Sequence, residues 1–442
     1  MLIKKNKVYQ YIFLIIILLM AIFNGGNTNL YIQVNFVLIS IFFLLVLREK
    51  NYSAHIKKII SNNKLAFKLY ILFIFFLIFQ SLPLPFDWLS FFSPEKYGFL
   101  KELEYGLNFA SISLSPFNSY FSILNYLSLF MFLIIFRSIF YKKKYIFFLY
   151  FYLAFLGALT ASIAIYLYLI GLKPKSTGFF INGTVFSCFL LLCFLSGIEY
   201  LKNINQHKKN DREDFFNKIY VRIFILLITI GIITSYSRLG NFLLISIIIL
   251  YISQELYKND KSNRFFLITL ILIVLLDVIV LGLYFVGPEN LISRFAFLEE
   301  EITGYLPSST ETNVTRASLT KFALFELKKF IIFGYGSGGF EYLFKINFEN
   351  SSTIYAVHAH SDFIQFIGEF GIIGFSLIIL SILFLCANKS FLSFKNFLLF
   401  YSLILILIFD FSFHVPIIQV LFILLLSIDN DRVESFDHIS NR

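Results

Sequence analysis

Two histidines in alternate positions, His358 and His360, precede a stripe of polar side chains. Asp362, Gln365 and Glu369 recur at i, i+3 and i+7, which a helix places on one face. An imidazole titrates near neutral pH, so it can take a proton from a reacting hydroxyl group. Burying such a stripe among apolar residues costs free energy, so the stripe is more typical of a functional site than of simple packing between helices. The pattern therefore indicates a general base with hydrogen-bonding neighbours, and an extended histidine segment would point both rings the same way.

The helix that carries this stripe is predicted to begin at Ser361 or Asp362, because serine and aspartate are favoured N-caps. It is expected to run on into an apolar segment. Gly371 and Gly374 are spaced so that another helix can approach closely.

Two arginines stand apart from the other cations. Arg238 lies among apolar residues in the short hairpin Ser235–Gly240. Arg316 opens an amphipathic segment, Arg316–Phe330, which is predicted to be a helix lying along a membrane surface. The guanidinium group is a planar fork that matches phosphate oxygens, so both arginines are candidates for binding an anionic group.

A glycine-rich segment, Phe333–Phe340, follows the second arginine segment and contains Gly336. It does not fit a nucleotide-binding loop, because no strand precedes it and no Gly-Lys-Ser/Thr sequence follows it. A helix end followed by a tight turn is the better interpretation.

The composition is that of a protein that crosses a membrane many times. Of 442 residues, 58% are apolar and 14% are charged, and the mean hydropathy is +0.79. Soluble domains carry about 25% charged residues. The net charge of +10 comes from short Lys/Arg clusters between apolar runs, which is typical of cytoplasmic loops and argues against a nucleic-acid partner. The three cysteines lie inside apolar runs without metal-binding spacing, and no metal or other cofactor is predicted.

The hydropathy pattern predicts an all-α fold of about twelve transmembrane helices, since a helix needs roughly 17–25 apolar residues to cross the hydrocarbon. Placing both termini in the cytoplasm leaves 24 Lys and Arg on the inside and 11 on the outside, which fits the positive-inside rule. Asp277 lies near the middle of the ninth window, where it could serve a proton relay or a helix contact. The windows are residues 8–23, 30–47, 65–82, 120–140, 145–170, 179–200, 219–234, 241–256, 264–286, 371–387, 396–411 and 414–428.

Two outside connections are long, and long ordered loops are often functional. The first lies at 83–119 within the nine-span segment 1–286. The second, 287–370, contains apolar residues throughout and is predicted to be a folded catalytic loop with amphipathic helices. Residues 371–428 then form the last three spans, and 429–442 form a cytoplasmic tail.

These motifs, in this order, resemble the O-antigen ligase and O-antigen polymerase superfamily of bacterial envelope enzymes. The ligase-type signature is His followed by Asn, Ser or Gln, then nine residues, then Gly-x-x-Gly. His360-Ser361 and Gly371-Ile372-Ile373-Gly374 meet it. Ser237-Arg238, the stretch Arg316–Phe340 and Ser113-Leu114-Ser115-Pro116 look like further motifs of the family.

The resemblance covers residues 80–430 approximately and implies a glycosyltransferase of the bacterial inner membrane with its active site in the periplasm. The donor would be a glycan on undecaprenyl diphosphate, transferred with inversion to an acceptor hydroxyl without a metal ion. It implies that His360 is the catalytic base and that Arg238 and Arg316 bind the diphosphate. The supporting residues would be His358, Ser361, Glu369, Gly336, Gly371 and Gly374.

Three functions remain open on the sequence. A ligase transfers the glycan to a lipid A–core sugar, whereas a polymerase transfers it to a second lipid-linked glycan. The ligase-type signature favours the first. A flippase or other transporter is the non-enzymatic alternative, but it would require several charged residues at the membrane midplane and short outer loops.

Overall fold

The computed structural model describes residues 2–103, 106–206, 212–258, 316–348, 355–386 and 393–428, with five isolated positions between 268 and 275. The described part is a helical bundle with one two-stranded antiparallel sheet. The predicted tail and Asp277 lie outside the described residues, as does the ninth predicted span apart from those isolated positions.

The helices are α1 (Leu2–Ile22), α2 (Asn29–Arg48), α3 (Lys50–Asn62), α4 (Lys64–Ser81), α5 (Leu89–Phe92), α6 (Pro94–Glu102), α7 (Pro116–Ile139), α8 (Lys143–Leu169), α9 (Gly183–Gln206), α10 (Arg212–Thr234), α11 (Arg238–Lys258), α12 (Arg316–Leu327), α13 (Phe340–Asn347), α14 (Asp362–Cys386), α15 (Phe394–Phe409) and α16 (Pro416–Ser427), and the strands are β1 (Leu84–Pro85) and β2 (Phe109–Ala110).

Eight helices of the described part are long and apolar enough to cross a membrane, namely α2, α4, α7 to α11 and α14. Three shorter apolar helices correspond to α1, α15 and α16. Each of these eleven overlaps one predicted window, which confirms an all-α membrane protein. The total of twelve spans remains a prediction.

Helix α9 forms the centre of the bundle and is enclosed along its whole apolar length. It packs against α8, α10, α11 and α16. Glycines allow the closest of these contacts, since a Cβ on Gly157 or Gly231 would overlap side chains of the facing helices. Some helices of the bundle begin with a side-chain cap; the Ser115 hydroxyl, for example, accepts the Asn118 N–H at the start of α7.

Helix α14 is broken at Gly371, where φ is 62° and ψ is 176°. The helix predicted to begin at Ser361 or Asp362 and to run into an apolar segment is confirmed, but it is kinked at this glycine. A turn lies against the break: the Ile372 N–H donates to the carbonyl of Ile331 at 2.8 Å, and a Cβ on Gly371 would overlap the carbonyl of Ile332. The close helix approach predicted at this glycine is replaced by a loop. Gly374 does admit a helix, because a Cβ there would meet the Phe76 ring of α4.

The sheet, α5, α6, α12 and α13 gather where α4 ends and α14 begins, and we call this the site end of the bundle. The predicted helix at Arg316–Phe330 is confirmed as α12, although it ends at Leu327. The described parts of the two long connections, 83–103 and 106–119 of the first and 316–348 and 355–370 of the second, lie here, and they contact each other. The Leu114 N–H, for example, donates to the Tyr335 carbonyl at 2.9 Å.

Candidate active site

The histidine segment enters the site in a constrained conformation. His360 has a positive φ of 56°, which a residue with a side chain rarely adopts. The preceding residue, Ala359, is held on both sides. Its N–H donates to Oε1 of Gln365 at 2.9 Å, and its carbonyl accepts the hydroxyl of Thr320 at 2.8 Å. Helices α14 and α12 therefore fix the backbone from which His360 projects.

Both imidazoles lie against the ring of Phe411. The ring of His358 stacks on it with centroids 4.6 Å apart, and that of His360 meets it at 5.1 Å. His358 is half-buried, and its Nδ1 lies 3.5 Å from Nε2 of Gln365. Burial, together with the neighbouring His414 and His360, holds the pKa of His358 well below the ordinary value of histidine.

His360 is neutral at physiological pH. Burial and the positive charge of Arg316 lower its pKa to about 4. No described residue hydrogen-bonds to its buried Nδ1. A neutral imidazole has one lone-pair nitrogen, so this side chain can accept a proton.

The polar stripe of α14 closes around a third histidine, His414. Asp362 binds Nδ1 of His414 and also accepts the Phe413 N–H at 2.7 Å. Glu369 lies 3.6 Å from Nε2 of the same ring. Burial lowers the pKa of His414, but Asp362 and Glu369 outweigh that effect and raise it to about 10. The imidazolium therefore balances two buried carboxylates, which would be costly to bury unpaired.

Glu369 also connects the stripe to the glycine-rich turn. Its carboxylate accepts Nε2 of Gln365 at 2.8 Å and the hydroxyl of Ser337 at 3.3 Å. Its backbone carbonyl accepts the N–H of Gly336 at 3.1 Å. Gly336 has a φ of 87°, and a Cβ there would overlap Ser113 of the first long connection. The glycine thus lets two loops meet beside the carboxylate.

Ser361 immediately precedes α14, and its supporting role remains a prediction. The side chain is buried, and its hydroxyl donates to the carbonyl of Leu407 at 3.4 Å. Its carbonyl accepts the Gln365 N–H at 3.0 Å, which is the first backbone bond of α14.

A polar cavity of about 360 Å³ lies beside the histidine segment and brings the two predicted arginines together. A third cation, Lys175, lines the same cavity, and no acidic residue occurs among its ten described lining residues. The first residues of α9 and α11 also line it, so two helix N-termini meet there. Helix N-termini carry partial positive charge and unpaired N–H groups. The lining residues are Lys175, Asn182, Gly183, Thr184, Ser235, Tyr236, Ser237, Arg238, Leu239 and Arg316.

Arg316 joins the cavity to the histidine segment. It lines the cavity and lowers the pKa of His360, while its Nη1 lies 3.9 Å from Oδ1 of Asp410. Burial raises the pKa of Asp410 to about 6, and the nearby hydroxyl of Ser412 and Arg316 oppose the rise. The carboxylate is thus placed to orient the guanidinium group.

The structure brings the predicted residues into two adjacent groups. Arg238 and Arg316 line the cavity, whereas His358, His360 and Glu369 surround His414 and Phe411. The three predicted glycines and Ser361 shape the backbone around them. No motif of the sequence marks Lys175, and His414 is marked only by its place in a short polar hairpin between two apolar runs.

The described residues contain no group of three or more His, Cys, Asp or Glu side chains arranged to hold a metal ion. The cations of the cavity suit an anion instead.

Comparison with known families supports the resemblance seen in the sequence. The family described as O-antigen ligase matches residues 223–379. This range contains Arg238, Arg316, the histidine segment and both glycines of the signature, and it ends before Asp410 and His414. No match to the chain is found among curated proteins. Over these residues the chain is similar to the O-antigen ligase family, and the match supports a relationship to the O-antigen ligase and O-antigen polymerase superfamily of glycosyltransferase-like membrane enzymes.

Proposed function

We propose that the protein transfers a glycan from undecaprenyl diphosphate to a sugar hydroxyl of lipid A–core. The observation that carries the proposal is the polar cavity with Lys175, Arg238 and Arg316, which adjoins the neutral imidazole of His360. An anion-binding cavity beside a proton acceptor is what this reaction requires.

The cavity has the charge that a diphosphate needs. Two arginines can each form paired hydrogen bonds to phosphate oxygens, and Lys175 adds a point charge. The N-termini of α9 and α11 add N–H groups and aligned dipoles, an arrangement that binds phosphates in many proteins. Together they stabilise the negative charge that develops on the diphosphate as it leaves.

His360 acts as the general base in this scheme. It accepts the proton of the acceptor hydroxyl while that oxygen bonds to the anomeric carbon of the donor sugar. The bond from this carbon to the diphosphate oxygen breaks, and its electron pair leaves with the polyprenyl diphosphate. Attack opposite the leaving group inverts the anomeric configuration, and the proton on His360 then passes to solvent.

Donor binding tunes this base. Arg316 is one of the two causes of the low pKa of His360. A diphosphate bound to Arg316 places negative charge near the imidazole, which favours its protonated form. The pKa of His360 therefore rises in the donor complex, toward the range in which a general base works best at neutral pH.

The acceptor and the side of the membrane are part of the proposal. The His-Ser signature with its Gly-x-x-Gly is of the ligase type, which supports lipid A–core as the acceptor. The predicted excess of Lys and Arg on the inside supports cytoplasmic termini, with the site end in the periplasm of the inner membrane.

A reconstituted reaction tests the chemistry. The purified protein in vesicles receives a polyprenyl-diphosphate glycan and lipid A–core, with a chelator present. Formation of glycan-bearing lipid A–core by the wild type is expected. No transfer to this acceptor or to a second lipid-linked glycan would contradict the proposal.

A deletion strain distinguishes the two acceptors. Loss of all long glycan chains from lipopolysaccharide, with accumulation of lipid-linked polymer, is expected for a ligase. Lipid A–core that carries a single repeat would instead identify a polymerase.

A further inference from the structure

A group of exposed apolar side chains at the site end lies in the connections between spans and not in the spans themselves. We call Trp88, Phe91, Ile331 and Ile332 the loop patch. Phe91 is 73% exposed and Trp88 is 56% exposed, and both isoleucines are exposed as well. Large apolar side chains that cluster on a surface mark contact with a partner or a membrane.

Aromatic packing fixes the first half of the patch at the end of a span. Phe92, which follows Phe91, packs edge-on against Phe79 with centroids 5.3 Å apart. Phe79 belongs to the last turn of α4, a helix able to cross the membrane. Phe92 also meets Phe333 at 5.0 Å, and Phe91 lies 6.2 Å from the same ring. The short stretch with Trp88 and Phe91 therefore sits on the end of α4.

Backbone bonds fix the second half at the end of another span. The carbonyls of Ile331 and Ile332 accept the N–H groups of Ile372 and Ile373, at 2.8 and 3.4 Å. These N–H groups follow the Gly371 break and begin the apolar part of α14. Helices α4 and α14 pack against each other, so the two halves of the patch lie side by side.

The patch continues the lipid-facing surface of these two spans. Exposed apolar residues of α4, such as Phe75 and Leu72, and exposed residues of α14, such as Ile372 and Ile379, lead up to it. A surface in line with the lipid-facing sides of two spans, and rich in aromatic rings where they end, has the composition of a membrane interface. Tryptophan in particular prefers the headgroup level of a bilayer.

We propose that the loop patch is a membrane-docking surface, and that its occupant is the lipid leaflet at the site end. It holds the described parts of both long connections that carry the patch on that leaflet, so that the cavity stays close to the membrane surface. This inference goes beyond glycan transfer and holds whether or not that reaction is confirmed.

Trp88 is the only tryptophan of the chain, so the unmodified protein carries its own probe. The wild type is reconstituted in vesicles that contain lipids brominated either near the headgroup or near the bilayer centre. We expect loss of tryptophan fluorescence with both, larger for bromine near the headgroup, and little quenching by aqueous iodide. Full iodide quenching without quenching by either bromolipid would overturn the proposal.

Two variants calibrate the result. Trp88→Phe combined with Phe75→Trp moves the probe to the lipid-facing side of α4, and its quenching should shift toward bromine near the bilayer centre. Phe91→Asp should lower bromolipid quenching of Trp88, whereas Ser90→Asp, which adds the same charge at the neighbouring exposed position, should lower it less. Equal effects of the two aspartates would contradict a specific apolar contact.

Discussion

At the scale of single residues, His360 combines an unusual conformation with an unusual charge state. A positive φ at a residue with a side chain costs on the order of 1–3 kcal/mol, and such strain persists only where the surroundings impose it. Here Gln365 and Thr320 impose it through Ala359. Burial and Arg316 keep the imidazole neutral. The strained backbone therefore lowers the stability of the fold while it holds a group that can accept a proton beside the cavity.

The acid limb of the pH profile should reflect this charge state. A base works only when unprotonated, and burial with Arg316 lowers the pKa of His360 to about 4, below the usual 6.5. We expect kcat/KM to be maintained as the pH falls through the range of an ordinary histidine and to decline only below it. The measurement uses wild type and Asp410→Asn, because burial raises the pKa of Asp410 to about 6. A limb at or above the ordinary histidine pKa in both proteins would contradict the assignment.

The three cations of the cavity should differ in what they contribute. Arg238→Lys and Arg316→Lys each keep a charge but lose paired hydrogen bonds, so we expect a loss on the order of 100-fold in kcat/KM. Lys175→Ala should cost less, since a point charge makes no paired contact. Transfer kinetics with a polyprenyl-diphosphate glycan check this. Wild-type rates in all three variants would contradict the proposal that the diphosphate binds in this cavity.

Motif spacing predicted His360, Arg238 and Arg316 as site residues, but it could not predict Lys175. This lysine enters the cavity only because the connection between α8 and α9 folds next to the Arg238 hairpin, a contact between distant segments. The environment of His414 was equally hidden, because Asp362 and Glu369 reach it from another helix.

At the scale of elements, α12 and the histidine segment act as one unit. Arg316 begins α12, and Thr320 one turn later binds the carbonyl of Ala359 at 2.8 Å. This hydrogen bond therefore links the position of His360, the proposed base, to that of an arginine of the cavity.

Thr320→Val removes this bond with little change in shape. Because a small misplacement of a catalytic group can cost about 100-fold in rate, we expect kcat to fall by roughly 10- to 100-fold. The KM for the donor should change little, since the cavity is intact. The acid limb should also shift, because the distance from His360 to Arg316 changes.

Thr320→Ser is the matched control, because it keeps the hydroxyl group and should restore most of the rate. A Val variant as active as the wild type would show that the bond does not position His360. A Ser variant as slow as the Val variant would show that the methyl group and its packing matter instead.

The break in α14 is a feature that the helical pattern of the sequence does not predict. Asp362, Gln365 and Glu369 have helical spacing, and the apolar residues that follow also suit a helix. At Gly371, however, the chain gives up helical geometry to bond Ile331 and Ile332 of the loop. Local pattern cannot report a contact with residues forty positions away, although glycine is the residue that permits it.

At the scale of the whole molecule, hydropathy was sufficient for the class of fold. Apolar windows are long enough to identify membrane helices without knowledge of their neighbours, and eleven overlap helices of the described part. The amphipathic helix α3 was not predicted because its lysines exclude it from such windows. The arrangement of helices around α9 depends on packing between distant segments, which hydropathy does not encode.

The orientation in the membrane is a prediction of the same scale. In a variant without native cysteines, Lys101→Cys at the site end and Lys144→Cys at the start of α8 place exposed thiols at opposite ends. We expect an impermeant thiol reagent to label the first in cells with a permeabilised outer membrane, and the second only after the inner membrane is opened. The reverse pattern would put the active site on the wrong side for a lipid-linked periplasmic donor.

The central claim is that His360 removes the acceptor proton while the neighbouring cavity holds the donor. Its most direct test is the single-turnover transfer rate of His360→Ala at saturating donor, with donor affinity measured on the same preparation. We predict unchanged affinity and a rate lower by about 10²–10⁴-fold, the usual cost of losing a general base. His358→Ala should keep more of the rate, because we assign His358 a supporting role and not that of the base. An active His360→Ala beside an inactive His358→Ala would contradict the account.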